Sequence, residues 1–282
     1  MAMSLSTPTG GSLVSGGGEK KISKQEQNNK PGRRRFLQNL TLVFASLLLP
    51  GYLFAKDKQE KILDLIIGDY KPSEHYYGMG IDISKCIGCG RCVEACKNEN
   101  DVPREPFFFR TWVERYRVMG DGETIVDSPN GAIDSFKSEA REQEIVRSFF
   151  VPKLCNQCDN PPCVQVCPVG ATFKSPDGVI LVDADYCIGC RYFIQACPYG
   201  ARFLHPETHT AEKCTFCYHR LVKGLKPACV EVCPTQARVF GDVEKKASPL
   251  ARFKRMNQIG VLKPAHNTEP KVIYAHLDME VN

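Results

Sequence analysis

Several signatures of enzymes and nucleic-acid binders are missing from this 282-residue chain. It has no phosphate-binding loop, no dinucleotide fingerprint and no nucleophile motif, which removes the common nucleotide-dependent and hydrolytic chemistries. Its longest apolar run, Leu40 to Ala55, is about sixteen residues with Pro50-Gly51 inside it, short of the roughly twenty a spanning helix needs. Net charge is missing where it would matter. The formal charge is +5, but Lys20, Lys21, Lys24, Lys30, Arg33, Arg34 and Arg35 against Glu19 and Glu26 account for all of it. The rest of the chain holds thirty basic and thirty acidic side chains, so it offers no basic field, and a nucleic-acid partner is not expected. His75, His205, His209, His219, His266 and His276 are scattered and read as surface or satisfied side chains. Nothing reads as a substrate pocket or a catalytic residue.

What the chain has in excess is cysteine: fifteen, all between Cys86 and Cys233. They fall into four recurring groups. Cys86, Cys89, Cys92 and Cys96 are spaced C-x2-C-x2-C-x3-C. Cys155, Cys158, Cys163 and Cys167 follow C-x2-C-x4-C-x3-C and precede Pro168. Cys187, Cys190 and Cys197 precede Pro198, with Phe193 where a further cysteine would sit. Cys214, Cys217, Cys229 and Cys233 precede Pro234, with eleven residues inside the group. This is the pattern of ferredoxin runs, in which three close thiolates hold one iron–sulfur cubane and the fourth holds the other cluster. The fourth cysteine, one helical turn on, points away from its own loop, and the proline after it can turn the chain back. Zinc sites take two pairs of ligands and have no use for a trailing C-x3-C-P. Disulfides fit poorly as well, because fifteen is an odd number and C-x2-C-x2-C is poor disulfide geometry.

Residues 1–32, rich in Gly, Ser, Asn, Gln and Lys, read as a disordered leader. Arg33-Arg34-Arg35-Phe36-Leu37-Gln38 and the apolar run behind it resemble a twin-arginine export signal. Cleavage after Ala55 and retention as an uncleaved anchor both stay open. Export and clusters agree, because the twin-arginine route carries folded proteins whose thiolates are already occupied. The expected location is periplasmic, with membrane attachment through a complex. Residues 56–75 form a linker. An insertion of about sixty residues separates the first two cysteine groups. There the alternation Trp112 to Val118 predicts a strand and Gly120-Asp121-Gly122 a turn. The aromatic cluster Phe107-Phe108-Phe109 with Trp112 reads as core or shielding rather than partner surface.

The text Cys86-Ile87-Gly88-Cys89-Gly90-Arg91-Cys92, Leu154-Cys155-Asn156-Gln157-Cys158, Asn160-Pro161-Pro162-Cys163, Cys187-Ile188-Gly189-Cys190-Arg191-Tyr192, Cys214-Thr215-Phe216-Cys217 and Cys233-Pro234-Thr235-Gln236-Ala237-Arg238 resembles a known family. A tail segment, Leu262-Lys263-Pro264 with Glu269-Pro270-Lys271-Val272, matches it too. This is the family of four-cluster ferredoxin-type iron–sulfur (beta) subunits of membrane-associated oxidoreductases, of the DMSO reductase, polysulfide reductase and nitrite reductase type. Arg110-Thr111-Trp112-Val113 looks most like the exported ferredoxin subunit of a sulfite-reduction-associated electron-transfer complex.

The resemblance implies an α+β fold of two nested ferredoxin-like modules: an outer one of residues 76–150 and 200–245 with the insertion, an inner one of 151–199, and a C-terminal tail of 246–282. It implies four ligand sets. Cys86, Cys89 and Cys92 join Cys233; Cys214, Cys217 and Cys229 join Cys96; Cys155, Cys158 and Cys163 join Cys197; Cys187 and Cys190 join Cys167. The expected cofactors are three 4Fe–4S clusters and, because Phe193 offers no lone pair, a 3Fe–4S cluster in the last set. A cubane completed by another ligand and an empty site stay open there. The expected function is non-catalytic electron transfer between a polytopic quinone-reactive membrane subunit and either a molybdenum subunit or a multihaem cytochrome. A free ferredoxin and a zinc-bearing interaction module are the alternatives; purification with membranes separates the first, and colourless protein would mark the second. Lys85, Arg91, Arg191 and Lys213, beside the cysteines, either raise reduction potentials or are solvated surface charge.

Overall fold

Loops that wrap cysteine side chains leave little room for long regular elements, and short ones frame them here. The computed structural model describes residues 70–105, 107–137 and 144–281, all within a unit running from Ile62 to Asn282. The leader, the twin arginine and the apolar run, with most of the 56–75 linker, lie outside the described residues. The first elements are strand β1 (Tyr77–Asp82), helix α1 (Arg91–Glu99) and strands β2 (Thr111–Met119), β3 (Thr124–Asp127) and β4 (Ile145–Leu154). Then follow α2 (Pro162–Gln165), β5 (Thr172–Lys174), β6 (Ile180–Val182), α3 (Tyr192–Ala196), β7 (Phe203–Leu204) and β8 (Ala211–Glu212). The chain continues through α4 (Tyr218–Leu221), α5 (Ala228–Glu231), β9 (Arg238–Asp242), α6 (Pro249–Met256), β10 (Ile259–Gly260) and β11 (Val272–Ala275). The class is α+β. Among the described residues no helix is long and apolar enough to cross a membrane.

The largest sheet has the order β10-β11-β1-β9. β1 runs parallel to β11, with Met79 opposite Val272, and antiparallel to β9, with Met79 opposite Phe240. The segment 246–282 thus supplies α6, β10 and β11 to this sheet. β11 is buried throughout, so its four residues read as a continuous apolar run with no alternation. Ser248 caps α6, its hydroxyl accepting from the Ala251 amide at 3.1 Å, with Pro249 in the first turn. Leu250 and Phe253, one turn apart, are the buried face of that helix.

The insertion forms a second sheet, β3-β2-β4. The strand expected at Trp112 to Val118 is β2, and the expected turn follows it, with Gly122 at φ 86. Buried Arg115 and Arg117 on β2 reach Asp127 of β3. The two sheets meet where the Tyr274 hydroxyl donates to the Pro152 carbonyl at 3.1 Å. The core between them is filled by Met79, Ile81, Val113, Val151, Leu154, Phe216 and Val272. The aromatic cluster divides: Phe108 packs on Phe203 at 5.5 Å and Phe109 lies under Lys97 at 4.4 Å, whereas Phe107 is 88% exposed.

Gly90 starts α1 in the left-handed region at φ 68, and a Cβ there would lie 1.9 Å from the Ala132 carbonyl oxygen. Gly170 has the same conformation, φ 67, with nothing within 4 Å of a Cβ. Gly170→Ala is expected to cost only the left-handed penalty, about 1–2 kcal/mol. Gly90→Ala must also move backbone and is expected to cost about 3 kcal/mol or more. Thermal unfolding of the two holoproteins measures the difference; equal midpoints would contradict it.

Candidate metal centres

Each cysteine loop uses the same backbone device. The residue before the second cysteine sits at positive φ in all four groups: Gly88 (68°), Gln157 (47°), Gly189 (65°) and Phe216 (55°). Glycine adopts this freely; other residues pay about 1–2 kcal/mol. Gln157 is held there by two hydrogen bonds. It is fully buried, its Nε2 donates to the Cys214 carbonyl at 2.6 Å, and its Oε1 accepts from the Ile180 amide at 2.7 Å. Phe216 is held by packing, fully buried and edge-on to Phe240 at 5.3 Å. The turned loops aim amides at sulfur: Phe216 N–H donates to Cys214 Sγ at 3.4 Å. Outside the loops, Ala211 N–H reaches Cys187 Sγ at 3.2 Å and Thr172 N–H reaches Cys167 Sγ at 3.5 Å.

All fifteen thiols are unbridged, and they converge in four sets. Cys86, Cys89, Cys92 and Cys233 line one cavity of about 340 Å³. Cys96, which leaves its own loop along α1, lines another of about 270 Å³ with Cys214, Cys217 and Cys229. Cys158 faces Cys155, Cys163 and Cys197. Cys167, Cys187 and Cys190 line a cavity of about 280 Å³ together with Phe193. The phenyl ring is buried and forms part of this cavity's wall. The last cysteine of each group therefore meets the thiols of a distant group. The first and fourth groups exchange ligand-type side chains, and so do the second and third.

Burial and neighbouring thiolates push several of the thiols up, Cys86 to about 11, Cys158 and Cys214 to about 12, and Cys96 well above its usual value. Cys167 is the opposite case. Burial raises it, but the amides of Thr172, Val169, Ala171 and Gly170 outweigh that and hold it below the ordinary range. Thiols crowded in this way ionise only against compensating positive charge, which a soft metal centre supplies.

Three of the buried cations among the described residues lie between neighbouring sets. Arg238, 3% exposed, donates from Nη2 to Cys92 Sγ at 3.4 Å and from Nη1 to Cys229 Sγ at 3.7 Å, bridging the first two sets. Lys213, 1% exposed, donates to the carbonyls of Ile180 and Cys214 and feels the thiolates of Cys155, Cys214 and Cys163, between the second and third sets. Arg202, 5% exposed, acts on Cys163 and Cys197 and lies over the Phe193 ring at 5.7 Å, between the third and fourth. The sets thus follow one another in a single order. Of the four basic residues singled out in the sequence, Lys213 alone is buried. Arg91 and Arg191 are exposed, and Lys85 is half-exposed and paired with Asp82 at 2.9 Å. Sequence reasoning passed over Arg202 and Arg238; the signal available was position, each five residues after the final cysteine of its group.

The donor set fits an anionic cluster better than empty space. Two other buried cations pair with carboxylates, Arg115 with Asp127 at 2.8 Å and Lys153 with Glu114 at 2.7 Å. Arg202 has no such partner among the described residues: its Nε and Nη2 are buried without an acceptor, and only Nη1 reaches Thr172 Oγ1, at 3.5 Å. An unpaired buried guanidinium is strongly unfavourable. Thiolates carrying a cluster provide the missing negative charge.

Family models define the class. A 4Fe–4S dicluster domain matches residues 85–171, and a second model of the same description matches residues 146–243. Similar whole proteins give the family. The B component of tetrathionate reductase from Salmonella typhimurium is 41% identical over 258 residues, covering 89% of this chain and 90% of that protein. The B component of tetrathionate reductase from Archaeoglobus fulgidus is 47% identical over 197 residues, with 70% and 80% covered. The B component of polysulfide reductase from Wolinella succinogenes is 36% identical over 197 residues, with 70% and 92% covered. The chain belongs to this family, the ferredoxin-type iron–sulfur subunits of reductase complexes. Such chains are electron-transfer subunits rather than catalytic ones.

Proposed function

We propose that this chain carries electrons through four iron–sulfur clusters within a membrane-associated respiratory oxidoreductase, between a quinone-reactive membrane subunit and another redox subunit. The carrying observation is the convergence of all fifteen thiols into four sets that follow one another in order. When bound, a cluster supplies a one-electron carrier. The protein holds each set in place with turned loops and brings amides and cations to it; the second set is buried throughout, whereas the first and fourth sets at the ends of the row are partly open to solvent. The redox partner is a molybdenum subunit or a multihaem cytochrome, and the sulfite-linked resemblance in the insertion favours no particular substrate by itself.

The ligand sets proposed are those that line each site, in two nested modules. Cys96 should serve the cluster held by Cys214, Cys217 and Cys229, because α1 carries it to their cavity. Cys96→Ser is expected to disturb that cluster and to leave the Cys86 site intact, read by cluster-resolved paramagnetic resonance with iron and sulfide analysis. Loss at the Cys86 site instead would contradict the assignment.

The fourth set has three thiols and a phenyl ring lining one cavity. A 3Fe–4S cluster uses three thiolates, and the apolar ring disfavours water as a fourth ligand. Oxidised protein is expected to show the paramagnetic signal of such a centre, and Phe193→Cys to convert it to a 4Fe–4S cluster. A silent oxidised protein with iron for only three cubanes would show the site to be vacant. Exposed Val166, Val169 and Ile188 beside this set, and Ile87 beside the first, favour partner contact at both ends of the row.

Export by the twin-arginine route to the periplasm, with attachment through the complex, rests on Arg33-Arg34 and the apolar run behind them. Replacing both arginines with lysine is expected to leave cluster-loaded protein in the cytoplasm. Unchanged export of the double variant would refute the route.

A further inference from the structure

We infer that Arg238 is a shared counter-ion of the first and second sets, raising the reduction potentials of both clusters together, and that Arg202, buried without a carboxylate beside the third set, acts in the same way on that set alone. The inference rests on the cluster reading above. Arg238 has one amino nitrogen on a thiol of each set, Cys92 at 3.4 Å and Cys229 at 3.7 Å. Its Nη2 also donates to Thr111 Oγ1 at 2.8 Å, and Thr111 in turn donates to the Lys153 carbonyl at 2.7 Å. The guanidinium is therefore clamped by β2 and β4, and it cannot turn toward one set at the other's expense.

No carboxylate lies within ion-pair reach of Arg238 or Arg202 among the described residues, so their charge acts undiluted on sulfur. Arginine stays protonated in any such environment, so the charge is fixed. The step it affects is the addition of one electron to either site, supplied by a partner redox subunit, with no bond made or broken and no proton required. That electron adds negative charge to the cluster. A fixed cation and N–H donors to the sulfurs both favour the more negative, reduced form. Placed between two sites, one guanidinium lifts both and narrows the step between them. An exposed cation such as Lys85, already paired with Asp82 and open to solvent, is screened and does little.

The test is a redox titration of the purified holoprotein, each cluster followed by its own paramagnetic signal, with iron and sulfide content measured alongside. Arg238→Gln is expected to lower the reduced-to-oxidised ratio of the first and second clusters at a given potential by about tenfold, a midpoint shift of about 59 mV for one electron, and to leave the third and fourth in place. Arg202→Gln should move the third instead, and Lys85→Gln none. Arg238→Lys keeps the charge and should stay within about threefold of the wild type. If Arg238→Gln loses iron from both sites while Arg238→Lys stays loaded, the counter-ion role is supported. Loaded Arg238→Gln with unchanged potentials, or with a shift at one site only, overturns the inference, as does iron loss in both variants. Wild-type protein without iron and sulfide would instead sink the cluster reading.

Discussion

A buried guanidinium that donates to two sulfurs is stable only where those sulfurs carry negative charge. Arg238 imposes that requirement on the middle of this molecule, and much else follows from it. Its β9 position places it against Cys229 of α5 and against Cys92 of α1. The contact is thus also the point where the amino- and carboxy-terminal parts of the outer cysteine arrangement are drawn together. Lys213 and Arg202 repeat the theme farther along: Lys213 is answered by carbonyl oxygens, and Arg202 is buried without a carboxylate among the described residues, beside the thiols of Cys163 and Cys197. In an ordinary core such cations would be replaced by aliphatic side chains at little cost, or with a gain. Their retention makes sense where the interior holds anionic centres.

The rest of the scaffold serves to hold thiols at fixed points. Short helices and two-stranded ribbons stabilise poorly alone, and here they lean on one larger sheet and on the insertion sheet packed against it. The insertion does more than lengthen the chain. Thr111 of β2 clamps Arg238, and Pro152 of β4 receives the Tyr274 hydroxyl. Strain is admitted where loops must turn amides inward, and it is offset locally, by hydrogen bonds at Gln157 and by burial at Phe216.

Local features were legible from residue order. The strand at Trp112 to Val118 showed because one face of β2 differs from the other, and its turn showed through glycine. β11 did not show, because a strand buried on both faces has no alternation and its partner, β1, lies nearly two hundred residues away. The aromatic cluster was legible only in part: Phe108 and Phe109 found partners, while Phe107 faces outward. Basic residues beside cysteines were legible as charges but not as buried or exposed. Lys85 and Lys213 both immediately precede a group's first cysteine, yet one meets solvent and the other Ile180 and Cys214.

What the sequence determined by itself is the chemistry of the sites. Cysteine spacing within a group is a short-range property, since two or three intervening residues limit how far apart the sulfurs can lie. The loss of a donor at Phe193 is likewise a matter of one side chain. Tertiary structure alone decided which distant cysteine completes each set in space, in what order the sets stand, and which cations are shut in with them. Those depend on closing loops of up to about 150 residues between Cys86 and Cys233. Loop closure of that length carries no local signature, because its entropy grows only slowly with chain length and leaves many partners nearly equivalent. Sheet pairing and core packing remove that degeneracy, and with it they set the field that each site feels.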